Sequence, residues 1–293
     1  SGHPCSIGYD LGEDGSLVPI ERPAFCFFPT KEATKLNFII HAPFLLTDSR
    51  EGIKAGETHN RELVRQLAQL AADSLPILRD ENLIDDGILE IIPYDETKFS
   101  GLDDRRKISF KPFFATIKDK LQTDSLLPAA NGKCSSKSGS YWASHTELVE
   151  MFSDKQLARL TGVKDAHWVF RSRGKKEVRS TNRTLADYID GGDAHAWSPK
   201  ESHLIVSSLT PEQVLKKINA DFIAAQSPKW LHELYGYLSE RDSYRQVVRY
   251  KPIFLDQDGR PAPVFDSKNE RVLFLPDDDI DGYTTVKEEL LSN

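Results

Sequence analysis

The feature that most limits how this chain can fold is a single stretch between Phe25 and Arg79. From Thr58 onward, apolar residues fall at Leu63, Leu67, Leu70, Ala71, Leu75 and Leu78, close to the 3.6-residue period of a helix with one buried face. Pro76 removes a backbone donor and crowds the preceding turn, so that helix is expected to kink or finish near residues 75 to 80. Just upstream lie two apolar runs, Phe25-Cys26-Phe27-Phe28 and Leu36-Asn37-Phe38-Ile39-Ile40, separated by a polar connection from Pro29 to Lys35. Such runs read as paired or neighbouring buried strands, and strands followed by a long helix place the chain in the α+β class.

Between strand and helix the chain reads His41-Ala42-Pro43-Phe44-Leu45-Leu46-Thr47-Asp48-Ser49-Arg50-Glu51. Thr47, Asp48 and Ser49 are capping or turn-forming side chains placed directly before one arginine. This order of strand, short connection, strand, Phe-x-Leu-x-x-Ser-Arg-Glu and long helix resembles the middle domain of the ninety-kilodalton heat-shock chaperones and of sacsin-type proteins. These belong to the GHKL ATPase superfamily, in which the middle segment is the transducer that follows an ATP-binding domain. The resemblance implies that Arg50 reaches the ATP γ-phosphate, with Ser49 beside it. The chaperones carry Asn where this chain has Thr47 and Gln where it has Lys54. Their water-positioning network is therefore not carried over, and Lys54 becomes a candidate second phosphate contact. A guanidinium suits the role because it is a permanent, planar, multi-donor cation. The plain alternative is a surface arginine paired with Glu51 or Asp48, worth little to stability.

At 293 residues the chain has room for about two domains. They are expected over 1–122, transducer-like β-α-β, and 123–293, a mixed α/β region of helices and hairpins. A net charge of -7 gives no electrostatic case for nucleic acid or an anionic membrane surface. No run of about 20 apolar residues exists to span a bilayer. Cys5, Cys26 and Cys134 are too scattered for a disulfide framework or a closed zinc site, which suits a reducing cytoplasm. The opening Ser1-Gly2-His3 and the single methionine, Met151, read as an excised piece of a longer protein.

Further along, Leu89 to Tyr94 reads as a short strand or extended exit, and Ile108 to Leu121 as a second amphipathic helix starting near residue 111 at Pro112. Helical patterns cover 145 to 160, 210 to 223 and 228 to 238, the second opening with a Thr210-Pro211-Glu212-Gln213 capping box. Trp168-Val169-Phe170 reads as a strand. Asn131-Gly132 and Asp258-Gly259 mark two similar hairpins. The basic run Arg171 to Arg179 reads as a solvated loop.

Asp277, Asp279, Asp281, Gly282 and Glu288 fit the alternating-carboxylate calcium-loop pattern. Against calcium stands the apolar Val272-Leu273-Phe274-Leu275-Pro276 where an entering helix belongs, and the same acids would cap a terminal helix over 283 to 291. The GHKL nucleotide motifs are absent: there is no Asn for magnesium on its helix and no Asp-x-Gly-x-Gly for adenine. The resemblance thus implies a fragment that couples ATP and magnesium, held by an N-terminal ATP-binding domain of the same parent, to a protein client. The alternative is a non-catalytic interaction scaffold.

Overall fold

The computed structural model describes residues 4–85, 87–93, 96–99, 107–169, 206–276 and 282–291, and its class is α+β. The chain divides into two compact units, one of 1–142 and 169–207, the other of 143–168 and 208–293. The basic run Arg171 to Arg179 lies outside the described residues, as does Phe170 of the expected strand.

The first unit is built on a four-stranded sheet. Its strands are β1 (Ser6–Gly8), β4 (Arg22–Cys26), β5 (Phe28–Leu36) and β6 (Ile39–His41), in the order β1-β6-β4-β5. The short strands β2 (Asp10–Leu11) and β3 (Leu17–Val18) pair as a separate hairpin. β4 and β6 are parallel neighbours, with Ala24 opposite Ile40. The structure corrects the reading of the polar connection. Pro29 to Lys35 belongs to strand β5, and the chain turns back at Phe27, leaving Phe28 opposite Cys26. Thr30 and Thr34 make this work: both are buried, and their hydroxyls donate to the carbonyls of Ala24 and Arg22 at 2.7 Å. Exposed lysines between and beyond them, Lys31 and Lys35, discourage edge-to-edge pairing of β5 with another chain.

Helix α1 spans Thr58–Asp80 and runs through Pro76. It buries Leu63, Val64, Leu67, Ala68, Ala71, Ala72, Leu75 and Leu78, whereas Leu70 is 38% exposed. At about 100° per residue, Val64, Ala68 and Ala72 rotate the buried arc away from Leu70. In place of the extension expected from Leu89, a short helix α2 covers Ile88–Ile91, with Ile88 and Ile91 buried one turn apart. Helix α3 (Lys111–Thr123) has Pro112 in its first turn and packs on α1. The core between sheet and helices is aromatic: Phe38 meets Phe113 at 5.9 Å and Tyr9 at 5.5 Å between ring centroids. A ring of this kind contributes about 1.5–3 kcal/mol by leaving water.

Tyr9 brings a polar atom to that core, its hydroxyl 2.7 Å from Ser74 Oγ. Burial pushes its pKa up to about 12, the Ser74 hydrogen bond opposing. A raised phenol pKa contributes stability that is complete below the unfolded value near 10 and is lost as pH rises toward 12. Urea unfolding between pH 9 and 12 is therefore expected to show a loss that Tyr9→Phe reduces by roughly 2–3 kcal/mol. An unchanged pH slope in that variant would contradict the assignment.

In the second unit the expected helix over 145 to 160 is two, α4 (Thr146–Met151) and α5 (Asp154–Thr161). The break has a cause: Trp230 Nε1 donates to the Met151 carbonyl and Trp168 Nε1 to the Phe152 carbonyl, each at 2.7 Å. Two buried indoles thus occupy acceptors that a continuous helix would need, and Ser153 restarts it with a capping box to Gln156. The 210 to 223 pattern divides likewise into α6 (Pro211–Lys217), opened by the Thr210/Gln213 box, and α7 (Ala220–Ala224), capped by Asn219. Helix α8 (Pro228–Ser239) buries Trp230, Leu231, Leu234 and Tyr235. The terminal helix expected over 283 to 291 is only a short turn of 3-10 helix, Glu288–Leu290, because Thr285 and Val286 are taken up in bridges to Phe274 and Asp256.

One turn recurs in both units. At 12–16, 129–133, 256–260 and 266–270 the first amide donates to the carbonyl four residues on, and the fourth amide donates back to the first carbonyl. The fourth residue is left-handed each time: Gly15, Gly132, Gly259 and Asn269, with φ between 64 and 80°. Nothing lies within 4 Å of a Cβ built on Gly259, so Gly259→Ala tests the backbone alone. It is expected to cost about 1–2 kcal/mol in urea unfolding; no loss would contradict the left-handed assignment. Among the described residues no helix is long and apolar enough to cross a membrane.

Candidate functional site

Arg50 sits at the tip of a hairpin between β6 and α1. Leu46 and Ile53 form an antiparallel bridge, Lys54 N–H donates to the Leu45 carbonyl at 2.9 Å, and Thr47 N–H donates to the Gly52 carbonyl at 2.8 Å. Arg50 N–H closes the turn on the Thr47 carbonyl at 2.8 Å. Arg50 has φ 58°, so in a turn one residue longer it holds the left-handed position that the four recurring turns give to Gly or Asn. That conformation costs a side-chain-bearing residue about 1–2 kcal/mol. The observed strain motivates a functional reading of this residue.

Two fastenings fix the hairpin. On one side β5 holds it, where Lys31 N–H donates to the Glu51 carbonyl at 2.7 Å and Glu32 Oε2 accepts from Ile53 N–H at 3.2 Å. At the base stands Asn60, fully buried on α1. Its Oδ1 accepts from Leu45 N–H at 2.8 Å, while its Nδ2 donates to the Leu45 and Lys54 carbonyls at 2.8 and 2.9 Å. One amide side chain therefore joins both arms of the Arg50 hairpin to the first turn of the long helix. Sequence reasoning missed Asn60. Its signal was a polar residue in phase with Leu63, Val64 and Leu67.

The carboxylates on either side of Arg50 are engaged elsewhere: Glu51 with Lys31 at 2.5 Å and Asp48 with Lys54 at 3.4 Å. The plain surface-pair reading is thus corrected; among the described residues no carboxylate forms an ion pair with the exposed Arg50 guanidinium. Lys54, the candidate second phosphate contact, is held by Asp48. Ser49 Oγ lies 3.1 Å from Thr47 Oγ1, which also accepts from Gly52 N–H at 3.2 Å.

Beside the arginine is a pocket of about 540 Å³, lined by Cys26, Phe27, Phe28, Pro29, Thr30, Leu46, Thr47, Asp48 and Arg50. Phe27 and Phe28 are 76% and 79% exposed, so the first apolar run does not end inside the core as the sequence suggested. Phe27 is itself left-handed, at φ 60°, and its N–H donates to His41 Nε2 at 3.2 Å. His41 thus serves as the acceptor at the end of its strand.

The calcium pattern falls mostly outside the described residues. Asp277, Asp279 and Asp281 lie outside the described residues, and Glu288 sits in the short turn Glu288–Leu290. Among the described residues no group of three His, Cys, Asp or Glu side chains is placed to hold a metal ion. Comparison of the chain with protein-family models, with the curated proteins and with the solved structures returns no match to any of them.

Proposed function

We propose that this chain is the transducer part of a GHKL-type, chaperone-like ATPase, coupling ATP bound by a separate domain of a longer parent to a protein client. The observation that carries the reading is Arg50: an exposed guanidinium without a carboxylate partner among the described residues, held in a costly backbone conformation by a hairpin fastened on two sides. An arginine on a mobile surface loop needs neither the strain nor the fastening. ATP with magnesium would be held by the neighbouring domain and supplies the phosphoryl transfer to water. Arg50 contributes a fixed positive fork where charge spreads over the γ-phosphate oxygens, which lowers the barrier more than it tightens binding. Lys54 becomes a second contact on leaving Asp48, an exposed pair worth about 0–1 kcal/mol. The free thiols of Cys5, Cys26 and Cys134 suit a cytoplasmic setting.

Exposed Phe27 and Phe28 favour a second reading, in which this edge recruits a protein without any phosphate role. The two are separated by expressing the chain with the residues its gene encodes upstream of Ser1. ATP turnover by that longer protein, and none by residues 1–293 alone, is the expected result. A parent without nucleotide binding would remove the ATPase reading and leave the scaffold.

A further inference from the structure

The pocket beside Arg50 holds more than a phosphate contact needs. One wall is apolar, made by Phe27, Phe28, Pro29 and Leu46. Phe27 is held at its backbone: it is left-handed, its N–H donates to His41, and the two rings meet edge-on at 6.0 Å. A bulky residue in that conformation, with its ring left in water, is an expense without return in the chain by itself.

The polar atoms of the pocket are otherwise accounted for. Cys26 Sγ donates to the Phe44 carbonyl at 3.4 Å, Thr30 Oγ1 to the Ala24 carbonyl at 2.7 Å, and Thr47 Oγ1 is bound by Gly52 and Ser49. Asp48, the acid in the lining, is paired with Lys54 at 3.4 Å, and Glu51, next to Arg50 in sequence, with Lys31. Glu32 does not line the pocket, and its Oε2 is turned to the Ile53 amide. What the pocket offers a ligand is therefore an aromatic wall and one uncommitted guanidinium. Its 540 Å³ falls within the range of small-molecule sites, about 300–1,000 Å³.

We infer that this pocket binds a small amphipathic anion, a flat apolar body against Phe27 and Phe28 with a phosphate head on Arg50. The site goes beyond the ATPase reading, since it requires no second domain. Within that reading its occupant engages the same guanidinium and competes with the γ-phosphate, which makes the pocket an inhibitory input to Arg50.

The test is calorimetric titration of the 293-residue chain with 1-naphthyl phosphate, 1-naphthol and inorganic phosphate. Saturable binding of naphthyl phosphate is expected with a Kd on the order of 0.1–1 mM, and about tenfold weaker binding of either half alone. Arg50→Ala is expected to weaken naphthyl phosphate about tenfold without changing naphthol. Phe28→Ser, an exposed substitution that spares the strained turn, weakens naphthyl phosphate and naphthol alike. No saturation by about 5 mM in the folded chain, or equal affinity in the wild type and Arg50→Ala, would overturn the proposal. ATP turnover in the longer protein decides the ATPase reading separately, so either can fail while the other stands.

Discussion

Under the proposed ATPase reading, Arg50→Ala in the ATP-binding parent is expected to lower kcat for ATP about 10²–10³-fold and leave nucleotide affinity within about threefold. The split follows from where the guanidinium acts. In that reading the residue is carried by a unit without the adenine motif, and its fixed guanidinium is matched to the charge as it is redistributed over the transferring phosphoryl group, more than to the bound ground state. The fold should not suffer. The turn is closed by the Arg50 backbone amide, which alanine keeps, and no ion pair among the described residues is lost. Unfolding free energy is expected to stay within about 0.5 kcal/mol of wild type. Arg50→Gly separates strain from chemistry: it removes a left-handed penalty of about 1–2 kcal/mol and should lose turnover as alanine does. A drop in nucleotide affinity matching the drop in kcat would instead make Arg50 a simple binding residue.

Asn60→Ala is the substitution with the largest expected effect on stability, a loss of about 2–4 kcal/mol in urea unfolding. Three hydrogen bonds go at once from a fully buried site. The Leu45 carbonyl keeps Lys54 N–H as a partner, and the Lys54 carbonyl keeps a long bond from Glu57 N–H at 3.4 Å. The Leu45 amide is left with none among the described residues, and a donor stripped of its partner is the costly part. Loss should be local before it is global. Amides of Leu45, Thr47 and Lys54 should exchange faster, while the α1 core around Leu67 and Ala71 keeps its protection. Under the proposed ATPase reading the same variant should also lower turnover in the parent, by loosening the hairpin that carries Arg50. Wild-type stability in Asn60→Ala would mean that the hairpin is held by β5 alone.

These two residues also show what the sequence could and could not disclose. Arg50 and its approach were legible because turn-forming side chains and a period-3.6 helix are local signals, and Thr58 as a helix start followed from the same periodicity. The Thr210/Gln213 box and Pro112 were legible for the same reason. Strand β5 was not, because Thr30 and Thr34 are buried only through carbonyls on β4, a partner that composition does not reveal. The breaks after Met151 and within 210 to 223 depend on distant or capping partners such as Trp230, 79 residues away from Met151. Asn60 was read past for a similar cause: a polar side chain on an apolar arc is explained only when its three backbone partners are in view. The state of Arg50 likewise turned on which lysines had already taken Glu51 and Asp48.

The most direct measurement is a structure of the proposed ATP-binding parent with a non-hydrolysable ATP analogue bound. An Arg50 Nη atom is expected within about 3 Å of a γ-phosphate oxygen, with the Thr47–Gly52 hairpin still closed and Asn60 still bridging Leu45 and Lys54. An occupied nucleotide site with Arg50 pointing into solvent, or folded onto a carboxylate of its own chain, would contradict it.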